Sequence, residues 1–128
     1  MQKLQGIRIL VVEDEFLLAI DIESAIRQAG GEVVGPVVSL EEAVATAERE
    51  QLNAAVLDLN LRGEMSYPVA EVLKSRHIPF LFATGYTENR LPQSLQCRPC
   101  LRKPFTWGAL TSALERLLAQ TPESPKCC

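Results

Sequence analysis

The fold is decided by the stretch Ile7-Arg-Ile-Leu-Val-Val-Glu-Asp14, a short apolar run that ends in two acidic residues. A nearly continuous apolar run of this length is typical of a strand buried on both faces of a parallel sheet. Residues 16–29 then carry apolar side chains at helical spacing, and Gly30-Gly31 is typical of a helix end. The first two elements are therefore a strand and a helix.

The same alternation continues along the chain. Further strands are predicted at about 32–37, 54–59, 80–83 and 100–102, and further helices after Ser39 and at 68–76 and 106–120. Ser39 and Glu42 form a capping box that marks the start of the second helix. Strands that alternate with helices predict a parallel sheet covered on both faces.

The segment between residues 87 and 99 should hold a fourth helix, but its apolar pattern is thin. Pro92 and Pro99 also bracket it. We therefore expect this helix to be short or mobile. We assign residues 1–120 to one domain and residues 121–128, which are polar and contain proline, to a disordered tail.

The composition fits one globular domain, with 128 residues, 47% hydrophobic residues, 23% charged residues and a net charge of −3. The sequence has no basic stripe that would neutralise phosphates, so we expect no nucleic-acid partner. It has no apolar run near the ~20 residues of a membrane span. The segment before Ile7 lacks a secretory signal, so we expect a cytoplasmic protein without a membrane partner.

The four cysteines favour a reducing compartment. Cys127 and Cys128 are adjacent on a polar segment, which is a poor disulfide framework. Cys97 and Cys100 have the spacing of a redox or zinc pair, but they precede a strand, and zinc would need two further ligands. We interpret Cys100 as a small buried hydrophobic residue.

Polar side chains follow four of the five predicted strands, at the point where each strand ends. They are Glu13 and Asp14 for the first strand, Asp58 for the third, Thr84 for the fourth and Lys103 for the fifth. Ligands of open α/β sheets bind at the carboxyl ends of the strands, so we expect these side chains to converge. Clustered carboxylates repel one another unless a cation intervenes, and Mg²⁺ suits oxygen ligands while leaving room for a phosphate.

This set of residues predicts phosphoryl transfer to a carboxylate. Asp58, at the centre, can act as the nucleophile and form an acyl phosphate. Such transfer needs mostly positioning and charge neutralisation, which Mg²⁺, the Lys103 ammonium and the Thr84 hydroxyl would supply at the phosphate oxygens. Gly85 has no side chain that would obstruct the incoming phosphoryl group.

These residues also carry a family resemblance. The motifs Glu13-Asp14, Asp58-x-Asn60, Thr84-Gly85 and Lys103-Pro104-Phe105, in this order, resemble those of response regulator receiver domains of bacterial two-component systems. The resemblance covers about residues 7–119. It implies a flavodoxin-like (βα)5 fold, in which a doubly wound five-stranded parallel sheet has the strand order 2-1-3-4-5.

The resemblance also implies a role for each matching residue. Asp58 would be the phosphoacceptor and, with Asp14, a direct metal ligand, whereas Glu13 would hold the metal mainly through water. Asn60 would give its backbone carbonyl to the metal. The remaining matches are Thr84 as the switch hydroxyl, Lys103 as the phosphate contact and a cis peptide bond before Pro104.

The run from Pro79 to Tyr86, Pro-Phe-Leu-Phe-Ala-Thr-Gly-Tyr, narrows the resemblance to the subgroup known as FATGUY regulators. Members of this subgroup are often single-domain proteins that pair with histidine kinases of the HWE or a related type. Most receivers have an aromatic residue where this chain has Cys100, so Tyr86 is the candidate replacement for the aromatic switch. The family's usual homodimer surface involves the fourth helix and the last strand, and a homodimer is one interpretation here.

The resulting hypothesis is a stand-alone receiver that takes a phosphoryl group from a histidine kinase or a histidine phosphotransfer protein. It would signal by protein–protein contact or act as a phosphate sink, without being an enzyme for any external substrate. A Mg²⁺-dependent aspartyl-phosphate phosphatase is an alternative, but it usually needs a second acid where this chain has Asn60. A nucleotide- or flavin-binding protein would need glycine or hydroxyl residues in place of Glu13-Asp14-Glu15. A constitutive pseudo-receiver scaffold also remains open.

Two further residues lie outside these motifs. His77 is the only histidine and is expected in a surface loop. Trp107, in the first turn of the last helix, is interpreted as a packing residue or as part of an exposed partner surface.

Overall fold

The computed structural model describes residues 3–84 and 99–119, and within them strands and helices alternate as predicted. In chain order the elements are β1 (Arg8–Val12), α1 (Phe16–Gln28), β2 (Glu32–Val37), α2 (Leu40–Arg49), β3 (Ala54–Asp58), β4 (Asn60–Leu61), β5 (Glu64–Met65), α3 (Tyr67–Ser75), β6 (Phe80–Thr84), β7 (Cys100–Arg102) and α4 (Trp107–Ala119). The predictions for the fourth helix, Gly85, Tyr86, Cys97 and residues 121–128 fall outside the described residues. Within the described ranges, every helix is too short or too polar to cross a membrane.

Five strands form one parallel sheet in the order β2-β1-β3-β6-β7. β1 lies between β2 and β3, and Val12 pairs with Val37 on one side and with Leu57 on the other. Counted without the short β4–β5 hairpin, this is the predicted order 2-1-3-4-5, so the flavodoxin-like class is confirmed. The order brings the carboxyl ends of β1 and β3 together at the switch point of the sheet.

Two apolar layers cover the sheet, because successive side chains of a strand point to opposite faces. Leu10 and Val12 of β1 pack in the layer under α2 and α3. Ile9 and Val11 pack in the layer under α1 and α4. β3 and β6 are buried at every position. The central strands are therefore fixed from both faces, and so are the residues at their ends.

The helix ends follow the local sequence signals. Ser39 accepts a hydrogen bond from the Glu42 backbone N–H through its hydroxyl oxygen at 3.2 Å, as the capping box predicts. At the carboxyl end of α1, Gly30 has a φ of +92° and the Gly31 N–H donates to the Ile26 carbonyl at 2.9 Å. Glycine suits this position because a left-handed residue there lets the chain leave the helix.

The interpretation of Cys100 as a buried hydrophobic residue is wrong, because its side chain is exposed. β7 is an edge strand of the five-stranded sheet and pairs with β6 on one side only. Leu101 is half-buried, whereas Cys100 and Arg102 on either side of it are exposed. Side chains alternate along a strand, so at this sheet edge only the residue that faces α4 is covered.

The β4–β5 hairpin was not predicted. Arg62 and Gly63 form its two-residue turn, with φ angles of +52° and +91°. Positive φ at both central residues is the geometry of a type I′ turn, which usually contains Asn-Gly or Asp-Gly. Arg-Gly is an uncommon sequence for this turn, and strands of two residues leave no alternating pattern to recognise.

Candidate functional site

The acidic residues after β1 meet the carboxylate at the end of β3. Glu13, Asp14 and Asp58 each place one carboxylate oxygen within 4.8 Å of the others. Val12 and Leu57 are paired in the parallel sheet, so the residues that follow them leave it at the same point. Glu13 is 1% exposed and Asp58 6%, whereas Asp14 is half-buried. The structure thus brings together the three carboxylates that the sequence singled out.

The Lys103 ammonium lies among these carboxylates. Its Nζ is 3.3 Å from Glu13 Oε1 and 3.5 Å from Asp58 Oδ2. A third carboxylate oxygen, Glu15 Oε1, lies 3.8 Å from the same nitrogen. Sequence reasoning did not assign Glu15 to the site, and its only signal was its place directly after Glu13 and Asp14. One lysine therefore faces three carboxylates.

Burial and a neighbouring carboxylate both act on the pKa of Asp58. Burial raises the pKa of the Asp58 carboxyl from 3.8 to about 7, and the hydrogen bond and negative charge of Glu13 act in the same direction. The charge of Lys103 and the backbone N–H of Asn60 lower the pKa of Asp58 but do not cancel this rise. The site is therefore short of positive charge.

Thr84 reaches the same edge of the sheet. Asp58 pairs with Ala83 in register, so Thr84 lies one residue beyond the neighbour of Asp58. Its side chain is buried, and its carbonyl accepts a hydrogen bond from the Lys103 N–H at 2.9 Å. The Lys103–Pro104 peptide bond is cis, as the resemblance implies. Thr84 and Lys103 thus end adjacent strands beside Asp58.

The β4–β5 hairpin forms the remaining wall of the site. The Asn60 N–H donates to Asp58 Oδ1 at 3.3 Å, and the Arg62 N–H donates to Asp14 Oδ2 at 3.0 Å. Within the turn, the Gly63 N–H donates to the side-chain oxygen of Asn60 at 2.7 Å. Sequence reasoning placed Asn60 in the site but did not predict the contacts of Arg62 and Gly63.

A divalent cation fits this arrangement. Glu13 Oε1 is buried and accepts no hydrogen bond from the described residues, although the Lys103 ammonium is 3.3 Å away. A buried carboxylate oxygen without a hydrogen bond is costly, and a metal ion removes this cost. Mg²⁺ binds one or two carboxylates and keeps several waters. Asp14 and Asp58 could hold it directly with their side chains, Glu13 through a bound water, and Asn60 with its backbone carbonyl.

Trp107 and His77 lie away from these groups. The Trp107 Nε1–H donates to Asp21 Oδ1 at 2.7 Å, which joins α4 to α1, and the Trp107 ring remains partly exposed. His77 follows α3 with a φ of +59° and is exposed, as expected of a surface residue.

Solved structures similar to this chain include receiver proteins. SdrG from Sphingomonas melonis Fr1 matches with a TM-score of 0.78 and 42% identity, over 93% of this chain and 100% of SdrG. SdrG has also been solved in a BeF3-activated conformation. The receiver domain of the sensor histidine kinase PA1611 from Pseudomonas aeruginosa PAO1, which has magnesium in its active site cleft, matches with a TM-score of 0.73 and 28% identity. That match covers 90% of this chain and 99% of the PA1611 domain.

The curated proteins similar to this chain include regulators. The phyllosphere-induced regulator PhyR of Methylorubrum extorquens is 34% identical over 117 residues, which are 86% of this chain and 43% of PhyR. The chain spans about half the length of the curated relatives it matches, 58% and 43% in two cases. No family model matches the chain.

The doubly wound α/β fold, with acidic side chains gathered at the carboxyl edge of its sheet, is the arrangement of a receiver domain. The chain belongs to the response regulator receiver domains of two-component systems.

Proposed function

We propose that Asp58 accepts a phosphoryl group, in a Mg²⁺-dependent reaction, from the phosphohistidine of a sensor histidine kinase or a histidine phosphotransfer protein. The observation that carries the proposal is the environment of the Asp58 carboxylate. It is buried at the end of a central strand, with Lys103 Nζ at 3.5 Å and with oxygens of Glu13 and Asp14 within 4.8 Å. A carboxylate nucleophile between an ammonium and a cation site suits phosphoryl transfer.

The transfer forms one bond and breaks one. An oxygen of Asp58 bonds to phosphorus while the bond from phosphorus to the donor imidazole nitrogen breaks, and the electron pair stays on that nitrogen. Lys103 neutralises charge on the phosphoryl oxygens, and the Thr84 hydroxyl donates a hydrogen bond to one of them. When bound, Mg²⁺ supplies the further positive charge that the carboxylates and the phosphoryl group require.

We further propose that the chain catalyses only its own phosphorylation and dephosphorylation, and that it signals through protein contacts or serves as a phosphate sink. Phe16 and Leu17 support a protein contact, because they follow Glu15 directly and are 73% and 77% exposed. Large apolar side chains exposed beside a charged site are typical of a protein-binding surface. Asn60 argues against an aspartyl-phosphate phosphatase, because an amide cannot protonate a leaving group.

The test is intact-mass analysis of the protein with Mg²⁺ and acetyl phosphate. We expect the wild type to gain the mass of one phosphoryl group and Asp58→Asn to gain none. Asp21→Asn is the matched control, because Asp21 lies on α1 outside the acidic cluster and its bond to Trp107 needs only an acceptor oxygen. Asp21→Asn should be labelled like the wild type. A second arm replaces acetyl phosphate with a purified, autophosphorylated HWE-type kinase.

Equal labelling of wild type and Asp58→Asn would refute the assignment of Asp58. Absence of labelling with every donor would favour the pseudo-receiver alternative. Steady release of phosphate from small phosphate esters would favour the phosphatase.

A further inference from the structure

The β4–β5 hairpin contacts two carboxylates that come from different strands. Its Asn60 N–H donates to Asp58 Oδ1 at 3.3 Å, and its Arg62 N–H donates to Asp14 Oδ2 at 3.0 Å. Asp14 follows β1, whereas Asp58 ends β3. Two backbone donors, two residues apart, therefore fix one oxygen of each carboxylate. Hydrogen bonds to a carboxylate are stronger than those between neutral groups.

The direction of the Arg62 N–H depends on the turn. Arg62 has a φ of +52°, in the left-handed region that non-glycine residues seldom adopt. A left-handed arginine needs support from its surroundings. That support is the Asn60 side chain, which accepts the Gly63 N–H at 2.7 Å and so closes the turn around Arg62. The Asn60 amide nitrogen also lies 3.8 Å from the sulfur of Met65 on the opposite strand.

The hairpin is itself attached to the core. Leu61 is fully buried between its exposed or half-buried neighbours. The Ser66 N–H, directly after β5, donates to the Leu59 carbonyl at 2.9 Å. A movement of the turn would therefore be transmitted to the two carboxylates and would not be absorbed by a loose loop.

We propose that Asn60 is a positioning residue for the metal site. Its carboxamide closes the Arg62-Gly63 turn, and the hairpin then holds the Asp14 and Asp58 carboxylates at fixed positions relative to each other. This role belongs to the side chain and is separate from that of the backbone carbonyl of Asn60. The inference rests on the proposed function for its biological meaning, but the positioning is measurable in metal binding alone.

The test compares Mg²⁺ affinity in five proteins, by calorimetric titration. Asn60→Ala keeps both backbone groups and removes the acceptor, so we expect the dissociation constant for Mg²⁺ to rise about tenfold, as for the loss of a group that orients a metal ligand. Adding Arg62→Gly should restore most of the affinity, because glycine adopts the left-handed turn without support. Arg62→Gly alone is the reference for the double variant, because removal of the Asn60 carboxamide should cost less affinity in that background than in the wild type.

Asn53→Ala is the matched control. Asn53 also accepts a backbone N–H through its side-chain oxygen, from Arg8 at 2.7 Å, but at the opposite end of β1. Its loss should leave Mg²⁺ affinity unchanged. Urea unfolding of each variant in EDTA separates a loss of affinity from a loss of stability.

An unchanged Mg²⁺ affinity in Asn60→Ala would overturn the proposal. A loss of affinity that Arg62→Gly fails to restore would also overturn it, because it would indicate direct contact of the carboxamide with the metal. If Asn60→Ala does not fold, the hydrogen bond from the hairpin to Asp14 is tested in the wild type. Its Arg62 amide proton should resonate downfield of the same proton in Asp14→Asn, because a hydrogen bond to a charged carboxylate is stronger than one to an amide oxygen. An equal chemical shift in the two proteins would contradict the hairpin contact. None of these measurements requires Asp58 to be phosphorylated, so the two proposals can fail independently.

Discussion

At each end of β1, a cation faces more than one carboxylate. At the amino end, Arg8 lies 3.4 Å from Glu32 and 3.3 Å from Glu50. At the carboxyl end, Lys103 lies 3.3 Å from Glu13 and 3.5 Å from Asp58. The charge pattern of the two ends is similar, and the distances are almost equal.

Burial separates the two clusters. The side chains of Glu32 and Glu50 are 61% and 35% exposed, whereas those of Glu13 and Asp58 are 1% and 8% exposed. Water screens the first cluster, and ion pairs of this kind contribute little to stability. The second cluster is shielded from water, so desolvation and, after it, the neighbouring Glu13 raise the pKa of Asp58. Burial, and not the pattern of charges, therefore distinguishes the cluster around Asp58 from a surface ion pair.

The largest change in stability is expected from removing the charge of Asp58 in the buried cluster. Asp58→Asn should raise the free energy of unfolding of the metal-free protein at pH 8 by up to about 4 kcal/mol, the linkage value of a pKa raised from 3.8 to about 7. A carboxyl with a raised folded-state pKa costs stability as pH increases from about 4 to about 7. The gain should therefore disappear near pH 4 and be complete above pH 7.

Urea denaturation in EDTA at several pH values measures this gain. Mg²⁺ should stabilise the wild type more than Asp58→Asn and so narrow the difference between them. A gain that is the same at pH 4 and pH 8 would contradict the assigned cause.

The next effect is the loss of the buried cation. Lys103→Met leaves Glu13 and Asp58 without their ammonium partner, and we expect it to lower the free energy of unfolding in EDTA at pH 8 by about 3 kcal/mol. Mg²⁺ should recover part of this loss, because it supplies positive charge to the same oxygens. The same denaturation series with and without Mg²⁺ measures both quantities, and a loss unaffected by Mg²⁺ would indicate that only packing has changed.

The smallest effect is expected from the matching change at the other end of β1. Arg8→Met also removes a cation that faces two carboxylates, but its cluster is solvated. We expect a cost of less than about 1 kcal/mol, part of which 0.5 M NaCl should mask (~4 Å Debye length). Denaturation at low and high salt checks this, and a salt-independent loss as large as that of Lys103→Met would remove the distinction between the two ends.

Most of the fold could be predicted because its signals are local. The apolar run of β1, the helical spacing after Phe16 and the cap at Ser39 each involve neighbouring residues, and the structure reproduces all three elements. The β4–β5 hairpin could not be predicted, because Arg62-Gly63 is an uncommon sequence for its turn and strands of two residues leave no alternating pattern. Cys100 was misjudged because its exposure depends on the position of β7 at the sheet edge.

The sequence alone determined which groups meet. Residues that follow strands of one parallel sheet leave it at one edge, so the convergence of Glu13, Asp14, Asp58 and Lys103 follows from strand order and parallel direction. Only the tertiary structure decided how these groups interact. The sharing of Lys103 with Glu15, the raised pKa of Asp58 and the hairpin contact to Asp14 depend on separations of about 3–4 Å and on exclusion of water. Such quantities arise from packing between distant segments, which no local pattern encodes.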